Sequence, residues 1–244
     1  MPRFFITASN IFGGAAYLNA KESEHLRALR IRQGESFTVC DGNGTDYTCR
    51  LTKLNGDGAE AEIVETVPTT SEPTVDCTAY IAFAKGDRLE TAVQKSVELG
   101  ASEIVLYLSA RCVSKPEGLS ILHKTGRMQK IAGEAAKQSG RGKIPRVIVS
   151  PSFDRMIFQA SKVDLPLFFY EGETAYHLKE ALESHPEAKT VSVVTGPEGG
   201  FDPEETAFAI DNGMISVSLG PRILRCETAP IVALSAIMYH TGNL

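Results

Sequence analysis

The 244-residue sequence contains no tryptophan, no CxxC pair and no apolar run long enough to cross a membrane. Its five cysteines (Cys40, Cys49, Cys77, Cys112, Cys226) are odd in number and widely spaced. That is the usage of a reduced protein without a disulfide framework or a Cys-based metal site. The five histidines form no ligand spacing either, so no metal is expected. The longest uncharged stretch, 228-TAPIVALSAIMYHTGNL-244, is short for a membrane span and carries Pro230, His240 and Gly242. It reads as a buried helix. The opening MPRFFITASN has an early Arg and no sustained apolar region, unlike a signal peptide. These absences together predict a cytoplasmic protein with no membrane partner.

Charge is present but unevenly placed. The net charge is −5, yet residues 111–155 carry ten Lys/Arg against three Asp/Glu. One basic segment on an acidic background points to an anionic partner contacted locally. The segment includes Arg111, Lys137, Arg141 and Lys143, with 139-SGRGK-143 as a turn able to follow a phosphate backbone. A solvated helix face explains the same residues without any partner.

The chain changes rhythm at 68-PTTSEPT-74. Before it, strands at 35–40, 46–51 and 59–67 are separated by 41-DGNG-44 and 55-NGDG-58, which are hairpin signals, and a helix lies near 20–30. These elements predict a small β-barrel over residues 1–72. After the break, apolar strands at 77–83, 103–108, 166–170, 190–194 and 214–219 alternate with helices near 87–99, 119–138, 176–184, 203–212 and 228–241. That alternation predicts an α/β domain over 73–244 with a mostly parallel, buried sheet. Ligands of such sheets bind at the C-terminal strand ends, here 195-TGPEGGF-201 and 219-LGPRILRCETAP-230.

The first of these loops looks like a phosphate cradle, but it lacks the Lys and Ser/Thr of a Walker loop and the spacing of a dinucleotide fingerprint. Asp202, Pro203 and Glu205 predict a capping box on the next helix, so carboxylates already occupy its positive end. The loop suits a phosphate-free ligand read by backbone groups, with Glu198 favouring a cationic one. A plain strand-to-helix turn is the bland alternative. In the second loop, Arg222 and Arg225 could hold RNA phosphate or stabilise a developing anion, or pair with Glu227. Cys226 has no histidine nearby in sequence and reads as a small packed residue.

With 85-KGDRLETAVQKSVELGASEI-104, 111-RC-112 and 134-EAAKQSGRGKIP-145, these two loops closely resemble the bacterial 16S ribosomal RNA uridine-N3 methyltransferase family, a branch of the SPOUT (α/β-knot) methyltransferases. The resemblance covers nearly the whole chain, because a PUA-like N-terminal barrel that binds RNA belongs to that family. The absence of Trp departs from relatives and bears on packing, not chemistry. The resemblance implies a C-terminal trefoil knot, a homodimer, and S-adenosyl-L-methionine held in a bent form by three loops. On this sequence those loops supply Tyr170; Thr195, Gly196, Pro197, Gly199 and Gly200; and Leu219, Gly220, Ile223 and Leu224. The substrate would be 16S rRNA in the small subunit.

Methylating uridine N3 requires loss of its proton, with charge spread over O2 and O4. Arg222 or Arg225 would stabilise that charge, and Glu198 would act as base or orient the cofactor. The choice within each pair is open on the sequence. Arg3, Arg27, Arg30 and Arg32 form a second expected RNA handle, for which ordinary surface arginines are an equal explanation. Two other classes compete: a non-catalytic RNA-binding protein, and a phosphate-handling enzyme, which the acidic helix start opposes.

Overall fold

The computed structural model describes all residues, 1–244. In chain order the elements are β1 (Arg3–Phe5), β2 (Ile11–Phe12), β3 (Ala15–Asn19), α1 (Ala20–Ala28), β4 (Ser36–Cys40), β5 (Thr45–Asn55) and β6 (Gly58–Pro68), then β7 (Asp76–Ala82), α2 (Arg88–Glu98), β8 (Glu103–Tyr107), α3 (Leu119–Gln138), β9 (Arg146–Val149), α4 (Phe153–Ala160), β10 (Leu165–Phe169), α5 (Leu178–Ser184), β11 (Thr190–Thr195), α6 (Pro203–Asp211), β12 (Ile215–Val217) and α7 (Thr228–His240).

Two compact units form. The first is Met1–Glu72 together with Ala136–Ile144; the second is Pro73–Ala135 with Pro145–Leu244. The segment 136–144, expected in the C-terminal domain, thus belongs to the first unit. The reason is chemical. Arg141 is 3% exposed, and its guanidinium donates to both oxygens of Glu72, at 3.2 and 2.7 Å. The Gly142 and Lys143 amides donate to the same carboxylate.

In the first unit the sheet order is β1-β4-β5-β6-β3-β2. Only β1–β4 is parallel; the other pairs are antiparallel. The sheet's first and last strands in this order are β1 and β2, and the strands between them pack over one core. Strand alternation sends Phe37, Val39, Cys49 and Leu51 inward with Phe4, Leu26 and Ala61. Asn55 pairs with Gly58 across a two-residue turn, and irregularities after Thr48 and Leu51 let the long β5–β6 hairpin bend. Asn19 and Glu22 form the capping box that starts α1.

The second unit holds a wholly parallel sheet, ordered β12-β10-β11-β7-β8-β9. Strand β10 is buried along its whole length and β11 from Val191 onward, as the continuous apolar runs require. Pairing brings the C-terminal ends of four strands level: Ile81 beside Thr195, Thr195 beside Phe169, and Phe169 beside Val217. Beyond β12, Ser218 donates its amide to the Tyr176 carbonyl and accepts from the Leu178 amide. The loop 170–177 therefore leaves beside Val217 and returns at Ser218, bracketing the chain as it runs into residues 219–227. Helix α7 buries Ala233, Leu234, Ile237 and Met238 but leaves Tyr239 78% exposed. No helix is long and apolar enough to cross a membrane.

Candidate active site

Four parallel strands ending at one level release four loops on the same side, and three of them, with the first turn of α2, line a cavity of about 510 Å³. Phe169, Tyr170 and Glu171 come from the end of β10; Gly196–Gly200 follow β11; Val217–Gly220 and Arg222–Glu227 follow β12; Arg88 comes from α2. All the expected cofactor-binding residues line it except Thr195. That side chain is 1% exposed in β11; its hydroxyl donates to the Tyr80 carbonyl, and its own carbonyl accepts from the Tyr107 hydroxyl at 2.7 Å. Thr195 thus anchors the strand end behind the cavity.

The glycines of 196–200 are packed more tightly than a ligand alone would require. A β-carbon at Gly196 would meet the Phe201 ring at 3.0 Å, and one at Gly199 would meet Arg111 backbone at 3.0 Å. Gly200 sits at φ +70° with the Glu171 carboxylate against it, and that carboxylate accepts the Phe201 amide at 3.1 Å. Phe201, 1% exposed, closes the loop onto Phe168 with ring centroids 4.2 Å apart. The loop is therefore a rigid lip moulded on its own protein neighbours.

The helix behind the lip carries the capping box read from the sequence: Asp202 accepts the Glu204 amide, and Glu205 accepts the Asp202 amide. Glu205 also accepts from the Ser109 hydroxyl and the Ala110 amide, both at 2.8 Å, and Arg111 pairs with Asp202 at 3.2 Å. The positive end of α6 is thus filled by carboxylates, and no phosphate has a place there.

Inside the cavity, Glu198 is held by one oxygen. Its Oε1 accepts the Lys85 amide at 2.8 Å and faces the Arg88 guanidinium at 3.5 Å. Its Oε2 is buried and has no partner. A buried carboxylate oxygen without a donor is costly and calls for an explanation. Arg222 and Arg225 are exposed and form no ion pair, so the pairing of either with Glu227 does not occur. Glu227 instead accepts from the Cys226 thiol at 3.3 Å. Burial raises the Glu227 carboxyl, but its own backbone amide, that thiol, and the charges of Arg88 and Arg225 bring it below the ordinary value. Burial, Glu227 and Glu198 push the Cys226 thiol up to about 12, so it is no nucleophile near neutrality. No group of three or more His, Cys, Asp or Glu side chains is arranged to hold a metal.

Sequence reasoning missed Arg88 and Glu171. Arg88 lay within the quoted 85-KGDRLETAVQ stretch, but its reach to Glu198 spans 110 residues and has no local signal.

Residues 70–238 match the RNA methyltransferase domain family, and residues 18–64 match the RNA methyltransferase PUA domain family. The chain belongs to the RNA methyltransferase family. Among curated relatives, ribosomal RNA small subunit methyltransferase E of Bacillus subtilis is 32% identical over 100% of this chain and 98% of its own. The protein of the same name from Aquifex aeolicus is 35% identical over 93% of this chain and 95% of its own. Among solved structures, ribosomal RNA small subunit methyltransferase E of Neisseria gonorrhoeae, bound to S-adenosyl methionine, superposes with a TM-score of 0.87 at 33% identity, covering 98% of this chain and 97% of that one. For this RNA methyltransferase the α/β architecture with a parallel sheet is that of the SPOUT class expected from the two loops.

Seven of the eight expected RNA contacts fall into three groups in this methyltransferase, and the eighth, Lys137, is half-buried in the last turn of α3. Arg3 and Arg141 are corrected. The Arg3 side chain is 12% exposed and paired with Asp46, and Arg141 is buried on Glu72; neither guanidinium is presented to a partner, because each neutralises a carboxylate inside the first unit. Arg27 donates to the Asn55 carbonyl, and Arg111 shares its charge with Asp202. Arg30, Arg32 and Lys143 are exposed. Arg30 takes φ +58°, a conformation usually left to glycine at a helix end.

Proposed function

We propose that the protein transfers a methyl group from S-adenosylmethionine to N3 of a specific uridine in the 16S rRNA of the small ribosomal subunit, acting as a cytoplasmic homodimer. The observation that carries the cofactor reading is the buried, unpartnered oxygen of Glu198, a residue that lines the cavity. A cavity of about 510 Å³ is within the range of small-ligand sites. Its carboxylates (Glu171, Glu198, Glu227) and arginines (Arg88, Arg222, Arg225) stand among apolar Phe169, Val217 and Leu224. That donor set fits a ligand with a cationic centre, an amino acid end and an apolar ring system, and no phosphate.

Tyr170, Gly196, Pro197, Gly199, Gly200, Leu219, Gly220, Ile223 and Leu224 would hold the cofactor, which supplies an electrophilic methyl group when bound. Glu198 receives a donor of that ligand at Oε2 and is assigned to orientation, because its other oxygen is already committed to Lys85 and Arg88. Arg222 and Arg225 carry unpaired charge on the rim, where a uridine would enter. As N3 gives up its proton to solvent water at the rim, one of them stabilises the negative charge developing on O2 or O4. Arg30, Arg32 and Lys143 are exposed cations suited to RNA phosphates.

Mass spectrometry of 16S rRNA from cells lacking the protein tests the assignment. Loss of a single N3-methyluridine is expected, and an unchanged modification map rejects it. At saturating cofactor, Arg225→Ala and Arg222→Ala are compared; the residue that stabilises the anion loses about a hundredfold in turnover. If both variants turn over normally, the electrostatic role is wrong.

A further inference from the structure

Arg88 sits at an electrostatically wrong place for its own helix. It is the first residue of α2, and the preceding Asp87 makes no side-chain cap. A cation at a helix N-terminus opposes the helix dipole, so its position calls for another reason. Its guanidinium lines the cavity, 45% exposed, and faces the Glu198 carboxylate, 13% exposed, at 3.5 Å. Its charge also reaches the second lip, where it lowers the Glu227 carboxyl and the Cys226 thiol. Glu198 has only two restraints on its head group, the Lys85 amide and Arg88, and both act on Oε1. The other oxygen, Oε2, is buried and has no partner, in a side chain that lines the cavity.

Resting on the cofactor reading above, we infer that Arg88 is a positioning residue that clamps Oε1 of Glu198 and thereby aims Oε2 at a donor group of the bound cofactor. Arg88 touches neither the reacting methyl group nor the uridine in this assignment. Its removal frees Glu198 to rotate, weakening cofactor capture without altering the transfer step.

The test is a double-mutant cycle on the full-length protein, with S-adenosylmethionine affinity read by calorimetry and turnover by methyl incorporation into 16S rRNA. Arg88→Ala should weaken cofactor binding about three- to tenfold and raise the KM for cofactor, with kcat at saturation unchanged. Arg88→Lys should restore part of the loss. In the cycle, Arg88→Ala added to Glu198→Gln should cost nothing further, because the clamp then has no carboxylate to aim. Additive losses would overturn the inference, as would an Arg88→Ala variant that binds cofactor normally and loses affinity for rRNA instead. Thermal melts of the apo variants separate misfolding from lost aim; a half-exposed side chain should leave them close to the parent. If the parent protein binds no S-adenosylmethionine, the cofactor reading itself fails, an outcome distinct from a parent that binds and a variant that does not care.

Discussion

At single residues, the cavity shows how one residue type serves different needs. Gly200 and Gly220 both have positive φ, at +70° and +104°. Gly220 has open space where a β-carbon would go, whereas Gly200 has the Glu171 carboxylate there. Gly220→Ala should therefore cost only backbone strain, about 1–3 kcal/mol. Gly200→Ala adds displacement of Glu171 from the Phe201 amide and should disturb the lip itself. Urea unfolding and calorimetric cofactor affinity on the two variants should rank Gly200→Ala as the worse by both measures. The sequence made these glycines conspicuous, but their spacing could not show that a β-carbon at Gly199 or Gly200 would meet Arg111 or Glu171. Cys226 gives a second residue-level expectation. With its thiol near 12, it is almost wholly protonated from pH 7 to 9 and should resist iodoacetamide there. Rapid labelling at pH 7.5, traced by peptide mass spectrometry, would contradict this placement.

Among elements, legibility followed the strength of the local code. The β5–β6 hairpin is written in its NG/DG turn and alternating flanks. The start of α6 is written in the Asp202–Pro203–Glu205 pattern, which the hydrogen bonds reproduce. By contrast β3 contains Ala15 and Ala16, helix-favouring residues that become strand by pairing with β6 on one side and β2 on the other. Strand β9 has four residues and is fixed by the β8 ladder. Helix α4 depends on the Ser152 cap and the burial of Met156 and Ile157, none of which stands out in a stretch otherwise noted for its charge. The cap of α6 is testable by itself. Asp202→Ala removes the bond to the Glu204 amide and the partner of Arg111, and should cost about 1 kcal/mol in urea unfolding. A stability unchanged from the parent would mean that Glu205, bonded to Ser109 and Ala110, carries the helix start alone.

In the whole molecule, the charge pattern divides into a part that holds the protein together and a part available to RNA, and composition could not separate them. Burial by itself would raise the Glu72 carboxyl, but Arg141 and the amides of Gly142 and Lys143 bring it below its ordinary value. Asp46 is likewise lowered, with Arg3 and Thr69 overcoming its burial. Both groups then bind protons more weakly folded than unfolded, so their stabilisation is present above the ordinary carboxylate range and is lost as pH falls through it, from about pH 5 downward. Arg141→Ala leaves Glu72 half-buried and uncompensated; it should destabilise the first unit by about 3 kcal/mol and flatten this acid dependence. The exposed cations should behave in the opposite way. Arg30→Ala, Arg32→Ala and Lys143→Ala should leave unfolding nearly unchanged, and each should reduce the slope of log affinity for rRNA against log salt by about one. Arg3→Ala should lower stability and leave that slope as it was, since its charge is already spent on Asp46. Fluorescence titrations at four salt concentrations, set beside urea melts of the same variants, distinguish the two groups. A variant that shifts both readouts together would show that holding the fold and holding RNA are one task at that position.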